Sequence, residues 1–311
     1  MKKSLRTIVD SMNKTMVLFI VLVAIIGSVA YVTTQAATFT TTSEAEQGAI
    51  VGSATIVGGT GLSNDAAVRF GSGNEQKDLS DPPKKEIAMQ LVSSAENSSL
   101  DWKAQYGYIE DIKDGRGYTG GIIGFTSGTH DMLELVQYYT QLAPGNLLAK
   151  YIPALQKVDG SDSHAGLDPT YVNDWKQSAQ DARFQKAQND ERDRSYFNPA
   201  VAQGKTDGLR ALGQFIYYDA YVMHGPGNDA DSFGGIRTAA HAKAKFPTEG
   251  GDEKAYLNAF LDARVVAMKR EAAHDDTSRV DTAQRKFLND NNFNLNLPLT
   301  WQVYGDSYTI R

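Results

Sequence analysis

Two carboxylates stand in contrasting settings within LVSSAENSSLDWKAQYGYIEDIKDGRGYTGGIIGFTSGT, residues 91–129. Glu96 ends an apolar helical pattern, whereas Asp114 sits in a Gly-rich turn, DGRG, that leads into a strand pattern. An environment that raises one carboxyl's pKa and leaves another ionised lets a protein run acid and base chemistry together near neutral pH. Hydrolysis of a glycosidic bond with inversion needs such a pair: an acid for the leaving oxygen and a base for a water on the opposite face, with the carboxyl groups roughly 6.5–9.5 Å apart. Taken singly, a helix-end Glu is ordinarily a solvated residue and a DG pair ordinarily only a turn. The elements that carry them must therefore decide.

A helix is predicted from Asp81 onward: an N-cap candidate and two prolines precede KKEIAMQLVSSAE, where Ile87, Leu91 and Ala95 recur at four-residue spacing. Glu96 then lies on or beside the buried face. Lys103 to Ile112 and Tyr118 to Phe125 read as strands around the Asp114–Gly115 turn. Beyond them the chain reads helical: Met132 to Leu142, Leu147 to Leu155, Asp174 to Asp193, a long Val201 to Met223 that stops at HGPG, Lys254 to Ala273, and Thr282 to Leu288. The class is mainly α (α+β), with one small sheet. Arg264 falls among Leu257, Leu261 and Met268 on a face that should be buried, where a guanidinium needs a carboxylate partner. Asp219 lies likewise inside an apolar pattern, and Arg279 follows HDDTS. Structural ion pairing is the plain reading of these charges; a network reaching Glu96 is the sharper one.

The amino terminus reads as an export signal. Lys2, Lys3, Arg6 and Lys14 flank an apolar run from Met16 to Val32 that gives way to TTQAAT, so residues 1–37 are a cleaved signal or an uncleaved membrane anchor, and the protein is extracellular. Residues 38–80 are rich in Gly, Ser, Thr and Ala, with short alternating patches that suggest two or three strands: a linker, or the remnant of a β-sandwich carbohydrate-binding module. Residues 81–311 form the catalytic domain. The chain has no cysteine, which excludes disulfides, thiol nucleophiles and Cys-ligated metal. Its formal charge is −6, and removing the leader (four basic residues against Asp10, net +3) leaves −9. That balance argues against nucleic acid and suits a cationic partner, though charge alone serves plain solubility equally well.

Other chemistries fit less well. The five histidines form no HExxH pair, GFTSG is not a GxSxG elbow, and GNDADSFGG lacks the Gly and closing Glu of a calcium loop. No metal or organic cofactor is expected.

At SSAENSSLDWKAQYGYIEDIKDGRGYTGGIIGF, and again at FQKAQNDERDRSYFNPA, DGLRALGQF, HGPGND and EAAHDDTSRVDTAQR, the chain resembles the family 46 glycoside hydrolases, bacterial endo-chitosanases, from about Lys84 to Ile310. The resemblance implies a two-lobed, lysozyme-like fold with a small sheet flanking a chitosan-binding cleft, and an enzyme, expected to be a monomer, that cleaves β-1,4 links between glucosamine units by inversion. By position it implies Glu96 as general acid, Asp114 as general base, and Thr119 as the residue that helps hold the attacking water. Asp219, Arg264 and Arg279 fall at the charge network behind the acid. Arg116 and Asp131 fall at cleft positions, Asp131 as partner of a substrate ammonium; Asn97, Tyr108, His224 and Asp275 are further cleft candidates. The chain departs at Thr126, where relatives often have Cys and where packing behind the hairpin is expected. The rival readings are a lysozyme-like hydrolase of chitin or peptidoglycan, and a non-catalytic, tethered glycan-binding protein.

Overall fold

Proline sets the start of the helix that carries Glu96. Pro82 and Pro83 occupy its first turn, where amides have no intrahelical partner anyway, and helix α1 runs Pro82–Glu96. The computed structural model describes residues 78–270 and 276–311, together with strands β1 (Ala54–Gly58) and β2 (Ala66–Phe70). β1 and β2 pair antiparallel, Ala54 opposite Phe70. The chain divides into one compact unit at 1–75 and another at 76–311. The expected leader and most of residues 38–77 lie outside the described residues.

Within 76–311 two apolar cores form. The smaller is built on a sheet of β3 (Ile109–Glu110), β4 (Thr119–Gly120) and β5 (Phe125–Thr126), with β4 in the middle. Helices α2 (Asp131–Leu142), α3 (Ile152–Val158), α4 (Tyr171–Ser178) and α5 (Ala182–Arg192) accompany it, and Phe125, Val136, Leu155, Trp175 and Phe184 fill the centre. The larger core gathers α1, α6 (Asn198–Thr206), α7 (Ala211–His224), α8 (Phe233–His241), α9 (Glu253–Met268), α10 (Arg285–Asn289) and the hairpin β6 (Leu299–Val303)–β7 (Asp306–Ile310) around Leu91, Ile216, Phe260 and Trp301. The mainly helical, two-core architecture agrees with the expected class.

The cores are joined through α5 and α6, between which the helix widens into a π-turn at Asp193–Phe197, with the Asn198 amide bonded to the Asp193 carbonyl. Pro199 explains the widening: it has no amide to offer and its ring crowds the preceding turn, so the chain adds a residue rather than break.

Several boundaries differ from those the sequence suggested. Lys103 to Ile112 is not one strand: Trp102–Gly107 is a 3-10 helix and only Ile109–Glu110 pairs. Trp102 donates to Glu86 Oε1 of α1 at 3.0 Å and lies under the Arg192 guanidinium, so tertiary contacts override the local β preference of its aromatic residues. Tyr118 to Phe125 is likewise interrupted between Gly120 and Phe125. The single helices expected at Asp174 to Asp193 and Val201 to Met223 are each two, broken after Ser178 and Thr206. The helix α8 and the terminal hairpin had not been anticipated, so the described domain holds two small sheets rather than one.

The loop bearing Asp114 is clamped at one glycine. Gly128 donates to the Arg116 carbonyl at 2.9 Å and accepts from the Gly160 amide at 3.0 Å; a Cβ there would run into the Ser161 carbonyl and stand 2.9 Å from the Arg116 carbonyl. Gly128→Ala should therefore cost about 1–3 kcal/mol of stability. Urea unfolding checks this, and an unchanged midpoint would contradict the close crossing.

Candidate active site

Glu96 is the last residue of α1, and a stripe of Ile87, Leu91 and Ala95 beneath it anchors the helix in the larger core. The anchoring is also polar: Ser94 is buried, donates to the Leu91 carbonyl and accepts from Trp301 Nε1 at 3.0 Å. The Glu96 side chain remains 41% exposed. One of its oxygens, Oε1, accepts from Arg279 Nη1 at 2.6 Å.

Behind that bond lies a buried charge network. Arg279 donates Nε and Nη2 to Asp219 at 2.7–3.0 Å, and Arg264 Nη1 lies 2.7 Å from Asp219 Oδ2. Gln284 Nε2 donates to the same oxygen at 2.6 Å, while its Oε1 accepts from Arg264. Burial alone would raise the Asp219 pKa, but the two guanidiniums more than offset it and hold the carboxyl well below the ordinary range. Arg264, Arg279 and Asp219 thus share a buried region, and Arg279 carries the pairing out to the partly exposed Glu96.

Asp114 occupies a different environment. It sits in the exposed turn between β3 and β4, where Gly115 takes φ 84°, and its carboxylate is met by Arg116 through Nε at 2.8 Å, Nη2 at 2.5 Å and the backbone amide at 3.0 Å. The Arg116 guanidinium lowers its pKa. Thr119 is buried on β4, opposite both Glu110 and Thr126, and its hydroxyl has no partner among the described residues. Asp131 opens α2 half-buried; its Oδ1 accepts from the Thr126 and Met132 amides, each at 2.9 Å, and from Thr129 Oγ1 at 3.2 Å. Burial raises its pKa against these donors.

A cavity of about 500 Å³ adjoins Glu96, Asn97 and Tyr108. The Tyr108 hydroxyl, pushed up to about 12 by burial and by its bond to Glu110, donates at 2.7 Å to Oε1 of that residue. Asp114, Arg116, Thr119 and Asp131 do not line this cavity. His224 ends α7, its Nε2 accepts from Arg264 Nε at 3.3 Å, and it does not line this cavity. Asp275 lies outside the described residues.

Sequence reasoning missed several contributors. Trp102, Arg192 and Ile122 line the cavity from the 3-10 helix, the end of α5 and the turn after β4. Tyr196, in the π-turn, has a pKa raised by burial and then by the Asp131 carboxylate, with Arg116 opposing, which places all three in one neighbourhood. No local pattern announces these residues; only the charged DERDRSYF run and its proline mark the bend.

Comparison with known proteins decides the family. The sequence profile of glycosyl hydrolase family 46 matches residues 90–299. The chain belongs to glycosyl hydrolase family 46. It is 68% identical over 254 residues to a chitosanase of Streptomyces sp. (strain N174), covering 82% of this chain and 90% of the relative. A chitosanase of Nocardioides sp. (strain N106) is 70% identical over 232 residues, covering 75% and 83%. Among solved structures, a co-crystal of chitosanase OU01 with substrate matches at 62% identity and TM-score 0.71, over 75% of this chain and 99% of that one. A Bacillus subtilis MY002 mutant chitosanase complexed with 6 GlcN matches at 36% identity and TM-score 0.66, over 74% and 99%. The fold is accordingly the lysozyme-like one of family 46, as the resemblance implied.

The buried network gives this family 46 domain a measurable weak point. Arg264→Ala leaves Arg279 alone to balance both Asp219 and Glu96 and should cost about 3–5 kcal/mol in urea unfolding, with Arg264→Lys restoring only part because it lacks the planar fork. The same pairing depends on pH. Asp219 has a depressed folded-state pKa, so its contribution is fully present above the unfolded value, about 3.9, and is lost as pH falls through the folded one.

Proposed function

We propose that this protein is an exported endo-chitosanase that hydrolyses β-1,4 links between glucosamine units in a single inverting displacement. The observation that carries the reading is Glu96 itself: one oxygen is fixed by a buried arginine, while no hydrogen bond among the described residues engages Oε2, beside a cavity large enough for sugar. Glu96 donates its proton to the leaving glycosidic oxygen. Asp114, held ionised by Arg116, takes a proton from a water, and the water oxygen attacks C1 from the opposite face. Thr119, whose buried hydroxyl has no partner among the described residues, is the residue suited to hold that water. The β link is then released as an α-anomer, and the carboxyls reset by exchange with solvent.

Substrate choice follows from charge. Chitosan is a polycation below the pKa of its amines, and a chain of net charge −9 outside its basic leader attracts it. Asp131, with Oδ2 unengaged among the described residues, is the ammonium partner; Arg116, Asn97 and Tyr108 are the polar contacts that orient the chain. The names of its relatives, chitosanases crystallised with substrate and with glucosamine oligomer, support this class over chitin or peptidoglycan.

Proton NMR of fresh products from deacetylated chitosan tests the mechanism. Wild type should release α-anomers, and Glu96→Gln and Asp114→Asn should each lose roughly 10²–10⁴-fold in kcat while still binding chitosan. Early β-anomers would overturn inversion; equal rates on fully acetylated polymer would overturn the substrate assignment. A pH profile tests the base. Because Arg116 depresses the Asp114 pKa, the acid limb of kcat/KM should lie below the ordinary carboxylate range, and Arg116→Ala should move it upward, so that activity is lost at a higher pH than in wild type.

A further inference from the structure

The hydroxyl of Thr126 is enclosed on β5, its residue only 1% exposed, yet it turns toward a carboxylate rather than toward its own strand. It is hydrogen-bonded to Thr129 Oγ1 and lies 3.5 Å from Asp131 Oδ1. Thr129 Oγ1 in turn is 3.2 Å from the same oxygen, which also accepts from the Thr126 and Met132 amides. Oδ2 accepts from no described residue. A packing role behind the hairpin, the expectation from sequence, does not account for this convergence.

We propose that Thr126 is a positioning residue for substrate binding: its hydroxyl, acting through Thr129, fixes Asp131 Oδ1 so that Oδ2 is presented to the ammonium of a glucosamine unit. The proposal rests on the reading of Asp131 as the ammonium partner.

Proton counting gives the relay its direction. An ionised carboxylate only accepts, so Thr129 gives its single hydroxyl proton to Asp131, and Thr126 gives its own to Thr129. Each bond polarises the next, and the run ends on the carboxylate. A carboxyl held at one oxygen by backbone and hydroxyl donors together loses the rotation that would otherwise let Oδ2 swing away. Thr126 does not touch the substrate itself; it acts through Asp131.

The charged and titratable groups around Asp131 are few. His130 precedes it, paired with Asp159 at 2.6 Å and 3.8 Å from Glu134, which also meets Arg194 at 3.5 Å. Tyr196, in the π-turn, feels the Asp131 carboxylate and, with opposite sign, the Arg116 guanidinium. Burial already raises the Asp131 pKa against its hydrogen-bond donors, so losing hydroxyl support raises it further and weakens ammonium binding first at low pH.

Steady-state kinetics on a glucosamine hexamer, between about pH 4 and 6.5, test this with the full chain as wild type, Thr126→Val, Thr126→Ser, Thr126→Cys and Asp131→Asn. Thr126→Val keeps the shape and removes the donor. Its KM should rise roughly three- to tenfold with kcat nearly unchanged, and the rise should steepen toward the acid end. Thr126→Ser should match wild type, and Thr126→Cys, a weaker donor of similar size, should fall between and serves if the valine variant does not fold. If Asp131→Asn raises KM and Thr126→Val does not, the positioning role is overturned and the ammonium site stands. If Asp131→Asn leaves KM unchanged, the ammonium site is overturned and the positioning role falls with it. If serine and valine lower kcat alike, Thr126 is a packing residue only.

Discussion

Arg279 is the side chain on which the candidate site depends. One guanidinium grips a fully buried carboxylate, Asp219, with two nitrogens and reaches Glu96 with the third. Its planar fork makes this possible, since a lysine ammonium offers no fixed geometry to two acceptors at once. The cost of burying such charge is offset only because Arg264 and Gln284 complete the coordination of Asp219. The same bonds join three stretches distant in sequence: the end of α1, the middle of α7 and the π-turn at Arg279–Gln284. The position of Glu96 is therefore set by the packing of the larger core, not by its own loop.

The two carboxylates proposed to do chemistry are supported in opposite ways, and each suits its task. Glu96 ends a helix pinned by a buried serine, a tryptophan and an arginine, which fixes where a proton is delivered. Asp114 sits in a solvated turn, where Arg116, two residues on, lowers its pKa further. A base that must activate water needs access to it; an acid that must meet one glycosidic oxygen needs placement. Dividing the pair between two cores, with α5 and α6 joined through a π-turn between them, lets one fold meet both requirements.

Family membership and local geometry support one another at different scales. The relatives extend along most of the chain and identify the kind of hydrolase. Hydrogen bonds among the described residues identify which oxygens are spent on one another and which are not, Oε2 of Glu96 and Oδ2 of Asp131 being of the second kind. Tyr196, whose hydroxyl is acted on by both the Asp131 carboxylate and the Arg116 guanidinium, adds a polar group to the same neighbourhood.

Local, periodic features were legible in the sequence. The proline start and four-residue stripe of α1 appear as expected because both are properties of a single helix. Arg264 announced itself as a buried charge for the same reason: it lies on the apolar face of α9. What tertiary structure alone decided are the features whose cause lies elsewhere in the chain. Trp102 takes a 3-10 helix because of Glu86 and Arg192, not its neighbours. The terminal hairpin matters to the site because Trp301 reaches Ser94, 207 residues away. The choice of Asp219 as the shared partner of two arginines follows from three-dimensional packing that no periodicity encodes. Sequence determined which side chains could carry charge or a proton; packing determined which of their atoms are already engaged.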